Sequence, residues 1–352
     1  MDKIFAHLAK MSTAVVFVVL VGTVISLYIT ARPAIKEFGS YFLIDPRWGV
    51  EVVVDQSGND VQMDAAQVEQ EETTTSNDDT LLPADDSSED EDFSMDDEWD
   101  DGMIPMEDEI ATGQAHLEKE DSKVKTVYGG AVPIVGTIFS TIIALLFAVP
   151  ISMGIAIFLS EIAKPVISGP VGVAVELLAA IPSIIYGMWG LFYFGPLIAS
   201  IFGGNSVSLL VGGLVLGVMI IPFMAALSRD AINTTPDILK EAAYSMGATK
   251  TEVIKDVIFP YAKAGIIGSM IVSLGRALGE TMAVAFVIGG VYQFVHKVTD
   301  PTNSIPVALA NNFSESSGLS LSALFYLALI LFVVSFVVIF SAKYFFLRRG
   351  KY

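Results

Sequence analysis

The 352-residue sequence has no cysteine, three histidines, and charged side chains at only 17% of its positions. The missing cysteine excludes a disulfide, a thiolate nucleophile and a thiolate-held metal. His7, His116 and His296 are far apart in the chain and show no ligand spacing, which argues against a histidine-built metal site. No Gly-x-x-x-x-Gly-Lys-Ser/Thr phosphate loop occurs, so the chain is not expected to hydrolyse ATP alone. Constellations for nucleophilic catalysis are absent too, and no cofactor or nucleic-acid partner is expected for the chain itself. The shortage of charge is informative, because soluble domains carry about 25% charged residues. Here 53% of residues are hydrophobic, the mean hydropathy is positive, and the apolar residues come in long blocks, as bilayer-spanning helices require.

Those blocks run Met11 to Thr30, Ile134 to Leu159 with Pro150 inside, Val171 to Phe194 interrupted by Pro182, Val207 to Leu227, Gly265 to Val291, and Leu319 to Lys343. Each is long enough for a hydrocarbon core of about 30 Å at about 1.5 Å rise per residue. Met11 to Thr30 is long for a signal-peptide core and no Ala-x-Ala site follows it, so it is read as a retained span. Gly212, Gly213 and Gly217 in the fourth block would let a neighbouring helix approach closely. The expected fold is an all-α membrane protein of about six transmembrane helices.

The net charge of −19 belongs to one segment. Val50 to Ser122 holds 26 acidic residues against Lys119, a local net of −25, so the remainder carries +6. Such a segment cannot bury enough apolar surface to offset the entropy of ordering, and it is expected to be disordered. Asp97 to Gly102 is similar to the start of an EF-hand loop, but Trp99 stands where a ligand is needed. The expected divisions are 1–49, an N-terminal helix and flank; 50–122, the acidic insert; and 123–352, a five-helix core with a loop at 228–262. If the two termini and the loops after the second and fourth spans share a side, that side has twelve lysines and arginines against seven on the other, over fewer residues. The positive-inside rule then makes both termini cytoplasmic and the acidic insert external.

Three ionisable residues fall within the spans: Glu176, Arg276 and Glu280. Each costs at least about 2.5–3.5 kcal/mol at the bilayer centre, so they are expected to face the bundle interior and mark a pathway. On a helical wheel Ser269, Ser273, Arg276 and Glu280 share an arc of about 60°. Glu176, Ala180, Ser183 and Gly187 would share a face of the third span. Arginine cannot deprotonate and offers a fork of donors matched to an oxyanion, and serine adds hydrogen bonds without charge. The carboxylates would position the guanidinium and could accept a hydrogen bond from a protonated phosphate, which fully ionised sulfate cannot give. Alternatively, Arg276 and Glu280 form an i,i+4 ion pair that only ties helices together.

The loop after the fourth span reads Glu241-Ala-Ala-Tyr-Ser-Met-Gly-Ala248 and continues to Val257-Ile-Phe-Pro260. Asp237 could cap a first helix, with Ala242, Ala243 and Met246 on one face; Gly247 permits a turn, and a second helix runs until Pro260 stops it. This pattern resembles the coupling motif of ABC-importer permeases: Glu-Ala-Ala, three residues, Gly, nine residues, Ile-x-Leu-Pro. Val257 and Phe259 stand in for its Ile and Leu. Glu176-Leu-Leu-Ala-Ala-Ile-Pro-Ser183, Tyr186-Gly-Met-Trp-Gly190 and Leu274-Gly-Arg-Ala-Leu-Gly-Glu-Thr-Met-Ala-Val284 narrow the resemblance to the C-type permease of the high-affinity phosphate importer, with Gly289-Gly290 where that family commonly has Gly-Asn. The resemblance covers Tyr128 onward and leaves the acidic insert outside. It implies a MetI-like permease fold, pairing with an A-type permease, two cytoplasmic ATPase subunits that bind ATP and Mg²⁺, and an external phosphate-binding protein. It also implies that Glu241, Ala242, Ala243, Gly247 and Pro260 dock the ATPase, and that Arg276 and Glu280 line the phosphate path. The alternatives are a permease for sulfate or molybdate and a proton-coupled secondary transporter using Glu176 and Glu280 as a relay; the latter would have no motor for the Glu-Ala-Ala loop to engage.

Overall fold

The computed structural model describes residues 2–54 and 123–348. Most of the acidic segment, including Asp97 to Gly102, lies outside the described residues. The chain divides into two compact units, one of Met1–Val50 with Val127–Tyr352, the other Glu51–Thr126. The strands β1 (Trp48–Val54) and β2 (Lys123–Tyr128) pair as a two-stranded sheet.

Six helices of the first unit are long and apolar enough to cross a membrane: Lys10–Leu43, Ala131–Ile162, Ser183–Phe202, Leu209–Asn233, Lys250–Leu278 and Gly318–Phe345. The first overlaps α1 (Asp2–Phe38), which runs past the apolar block and buries Ala31 and Ala34; it packs on α12 (Gly318–Arg348). Helix α2 (Ala131–Ile157) makes its main contact with α6 (Leu209–Asn233). The small residues of α6 permit this approach: a side chain at Gly213 would strike Ile143 and the Ser140 carbonyl, and one at Gly217 would strike Phe147 and the Ala144 carbonyl. Hydroxyls buried in α2 donate to carbonyls one turn back, Thr141 to Thr137 at 2.7 Å and Ser152 to Ala148 at 2.6 Å, which satisfies them without water.

Two of the expected spans have different limits. Val171 to Phe194 is not one helix. The chain forms α3 (Pro165–Ala179), breaks, and crosses as α4 (Ser183–Trp189), a π-helical turn at Gly190–Phe194 and α5 (Gly195–Phe202). Pro182 causes the break: it has no N–H to continue the ladder, and it sits at ψ 135 as the N-cap of α4. The Tyr186 hydroxyl donates to the Leu178 carbonyl at 2.9 Å across the gap.

The fifth span also shifts. Lys250–Leu278 comprises α8 (Lys250–Glu252), a π-helical turn at Val253–Ile258 and α9 (Phe259–Leu278). It ends at Gly279, twelve residues short of Val291, and only the short α10 (Met282–Ala285) follows. The irregular stretch beyond it is held by backbone bonds. Val287, Val298 and Asp300 offer their carbonyls to the amides of Ser208, Leu210 and Leu209 at the start of α6, groups that would otherwise lack partners. Thr302 donates to the Ile288 carbonyl, and the first amide of α11 (Ile305–Asn312) donates to Thr137 Oγ1 at 2.8 Å. Gly289 and Gly290 lie at φ 110 and 69. Asparagine tolerates the second value better than other side chains do, which fits the Gly-Asn common in the resembling family.

Candidate functional site

Helices α6 and α9 run in opposite directions along a seam of small and hydroxyl residues. A side chain at Gly265 would meet Ala231, Ser269 and Ser228 share a hydrogen bond of 2.7 Å, and Arg276 lies over the Phe223 ring at 5.3 Å from its centroid. Ser273 is fully buried, and its hydroxyl has no hydrogen-bond partner. Ser269 of the expected stripe thus forms part of the contact between two helices, because tight helix packing and a polar lining favour the same small residues. Arg276 occupies the last turn of α9 and is exposed.

The alternative, an i,i+4 pairing of Arg276 with Glu280, does not occur. The helix ends between them, and among the described residues no ion pair joins them. Glu280 instead turns to the next element, its Oε1 accepting from the Ala283 amide at 3.2 Å in the first turn of α10. Glu176 does not pair with Arg276 either. Its Oε1 lies 4.0 Å from Nη1 of Arg229, a residue that sequence reading places in a loop because hydropathy fades after Leu227. The helix continues to Asn233, since Pro236 is the first residue that halts it. A side chain at Gly172 would overlap the Arg229 guanidinium, so that glycine makes room for it, and Arg229 Nε is buried with no hydrogen-bond partner. The signal available in sequence was Pro236 as a helix stop. Ser183, expected beside Glu176 on one face, opens α4 on the far side of the break.

The Glu-Ala-Ala segment forms α7 (Asp237–Ser245), and the chain reverses at Gly247 with φ 88. Pro236 is the N-cap; Asp237 caps nothing, and its Oδ1 lies 3.7 Å from Lys240. Ala243 packs inward with Ile232, Val253 and Ile258, whereas Glu241 and Ala242 are exposed and Met246 is 84% exposed. The three expected on one face therefore divide between core and surface. Thr249 and Glu252 form a capping box at α8. Pro260 does not stop the second helix. It falls in the first turn of α9 directly after the π-helical turn, where the wider coil accommodates a residue without an N–H. Lys240 reaches Glu161, at the end of the second span, at 2.7 Å with both side chains mostly buried.

The family of binding-protein-dependent transport system inner membrane components matches residues 130–350. The phosphate transport system permease protein PstC of Pasteurella multocida is 47% identical over 248 residues, 65% of this chain and 78% of that protein. Its counterpart in Haemophilus influenzae is 45% identical over 251 residues, 66% of this chain and 80% of that one. The probable PstC permease of Methanocaldococcus jannaschii is 35% identical over 237 residues, 62% and 75% of the respective chains. A solved chain of the inward-facing MetNI methionine ABC transporter is similar with a TM-score of 0.49 and 20% identity, covering 62% of this chain and 94% of that chain.

Proposed function

The chain belongs to the inner membrane components of binding-protein-dependent transport systems, and from that premise we propose that it forms half of the translocation path of an ATP-driven phosphate importer. It is a multi-pass membrane permease subunit and carries no catalytic domain of its own. An A-type permease supplies the other half of the path, and an external phosphate-binding protein delivers the anion. Of the two ATPase subunits, which hold ATP and Mg²⁺, one docks on the exposed face of Glu241 to Gly247. Both termini and this loop are cytoplasmic, and the acidic insert is external; the distribution of lysine and arginine supports this orientation. ATP binding and hydrolysis on the partners moves α7, and rigid-body rocking switches the path between outward and inward access.

One observation carries the reading. Arg276 presents a permanent charge on a membrane-spanning helix, with no carboxylate partner among the described residues. The Phe223 ring beneath it holds the guanidinium by a cation–π contact without neutralising it. The donors stay available for an oxyanion, whereas a salt-bridged arginine would have spent them. Glu280 is anchored to the first turn of α10 and limits how strongly the anion is held.

The test is ATP-dependent phosphate uptake in membranes carrying the assembled complex, comparing the native chain with Arg276→Gln. Loss of one or two charge-assisted hydrogen bonds, about 1.5–3 kcal/mol each, predicts a drop of at least about tenfold. Complex assembly and ATPase docking persist in the variant. Unchanged uptake would remove Arg276 from the path. Sulfate competing as well as phosphate would overturn the choice of anion.

A further inference from the structure

Two neighbouring cavities of the first unit form a continuous groove along α9, open to the surroundings. One, of about 370 Å³, is lined by Met153, Lys255, Phe259, Pro260 and Lys263 among others. The second, of about 400 Å³, is lined by Leu145 and Val149 of α2, Met270 and Leu274 of α9, and Ala342 of α12. They share Lys263 and Ile267, so the groove is cationic toward Lys255 and apolar toward Leu274. Both lysines are exposed, and neither forms an ion pair among the described residues. We propose that this groove is a binding site for an anionic phospholipid, with Lys255 and Lys263 at the headgroup phosphate and one acyl chain along α9 toward Leu274 and Ala342.

The dimensions fit this occupant. From Lys263 to Leu274 is a rise of about 16 Å at 1.5 Å per residue, close to one leaflet of a hydrocarbon core about 30 Å thick. A soluble anion would use the lysines and leave the apolar wall without a function. A neutral lipid would use the wall, but its phosphate already carries an internal counter-charge. Only a lipid with net negative charge uses both. The apolar wall joins three membrane-spanning helices, and Lys255 lies in the π-helical turn that links the α7–α8 loop to α9. A bound lipid would therefore brace the element through which that loop connects to the bundle.

The experiment is native mass spectrometry of the assembled transporter released from nanodiscs of phosphatidylethanolamine doped with phosphatidylglycerol. The native chain is expected to retain phosphatidylglycerol in preference to phosphatidylethanolamine. Removal of each lysine is expected to weaken retention about fivefold, the contribution of one basic residue near an anionic surface. Lys255→Gln with Lys263→Gln should therefore lose it, and Lys255→Arg with Lys263→Arg should keep it, which separates charge from folding. Met270→Trp fills the apolar end and should also lose it with both lysines intact. Added inorganic phosphate should displace nothing. Equal retention of the two lipids, no retained lipid in the assembled complex, or retention indifferent to the double glutamine variant would overturn the proposal. Displacement by inorganic phosphate, or indifference to Met270→Trp, would overturn it in favour of a free anion on the lysines.

Discussion

At the scale of single residues, two arginine environments differ in what a carboxylate does for them. Asp45, just beyond the first span, has a side chain only 1% exposed and accepts from Arg47 at its amide (2.9 Å), Nε (3.0 Å) and Nη2 (2.8 Å). Burial alone would push its carboxyl up; the side-chain and backbone bonds and the charge of Arg47 outweigh that and hold it below the usual carboxylate range. A depressed folded-state value means the stabilisation is complete above the unfolded-state value, about 3.9, and disappears as pH falls through the folded one. Thermal melts in nanodiscs should thus show an acid-limb loss of stability, beginning near pH 4, that is smaller in Asp45→Asn. Identical acid limbs in both proteins would sink this assignment. Arg229, with Glu176 at 4.0 Å and 62% exposed, has no comparable clamp. Its position is set by the space that Gly172 leaves for it.

Among the elements, α7 is tied down, as far as the described residues go, by the Lys240–Glu161 ion pair and a few apolar contacts. Lys240 and Glu161 are 16% and 9% exposed. A fully buried pair that loses one partner costs about 3–5 kcal/mol, and the residual exposure here lowers the expectation for Lys240→Met to about 1–3 kcal/mol. Adding Glu161→Leu should recover most of that loss, because the stranded carboxylate goes with it. A double-mutant cycle on denaturant or thermal unfolding measures this; additive losses would show that the two groups do not interact. Since Ala243 is the inward residue of α7 and Glu241, Ala242 and Met246 are outward, the loosened Lys240→Met protein is also expected to couple ATP hydrolysis to uptake less tightly. The ratio of phosphate transported to ATP consumed reports it.

For the molecule as a whole, the chain presents apolar side chains outward over much of its length: Val15 to Val19 on α1, Leu177 on α3, Phe192 and Tyr193 in the third span, and Phe336 and Phe340 on α12. Water does not tolerate such a surface, and lipid or a second permease chain does. The acidic segment is the opposite in composition, and Met1–Val50 with Val127–Tyr352 forms a compact unit without it. Joining residue 54 to residue 123 through a short Gly/Ser linker is accordingly expected to leave ATP-dependent phosphate uptake within about twofold of native, a change of about 0.4 kcal/mol. Abolished uptake with the complex still assembled would assign the insert a direct part in transport.

The membrane character of the chain, the number of spans and the Glu-Ala-Ala turn were all legible in the sequence. A bilayer demands about 20 apolar residues from any helix that crosses it, and a left-handed backbone at Gly247 demands glycine. These are local requirements, and residues meet them one segment at a time. Where helices stop was less legible, because hydropathy reports the surroundings of side chains and not the continuity of backbone hydrogen bonds. Pro182 marked the break in the third span, but apolar sequence runs straight past the helix end at Gly279. Pairings were least legible of all. That Glu176 approaches Arg229, that Arg276 rests on Phe223, and that Ser269 meets Ser228 follows from how α3, α6 and α9 cross. A helical wheel drawn on one segment carries no information about the helix packed against it, so the charged residues could be found in the sequence, but their partners were decided only in the tertiary structure.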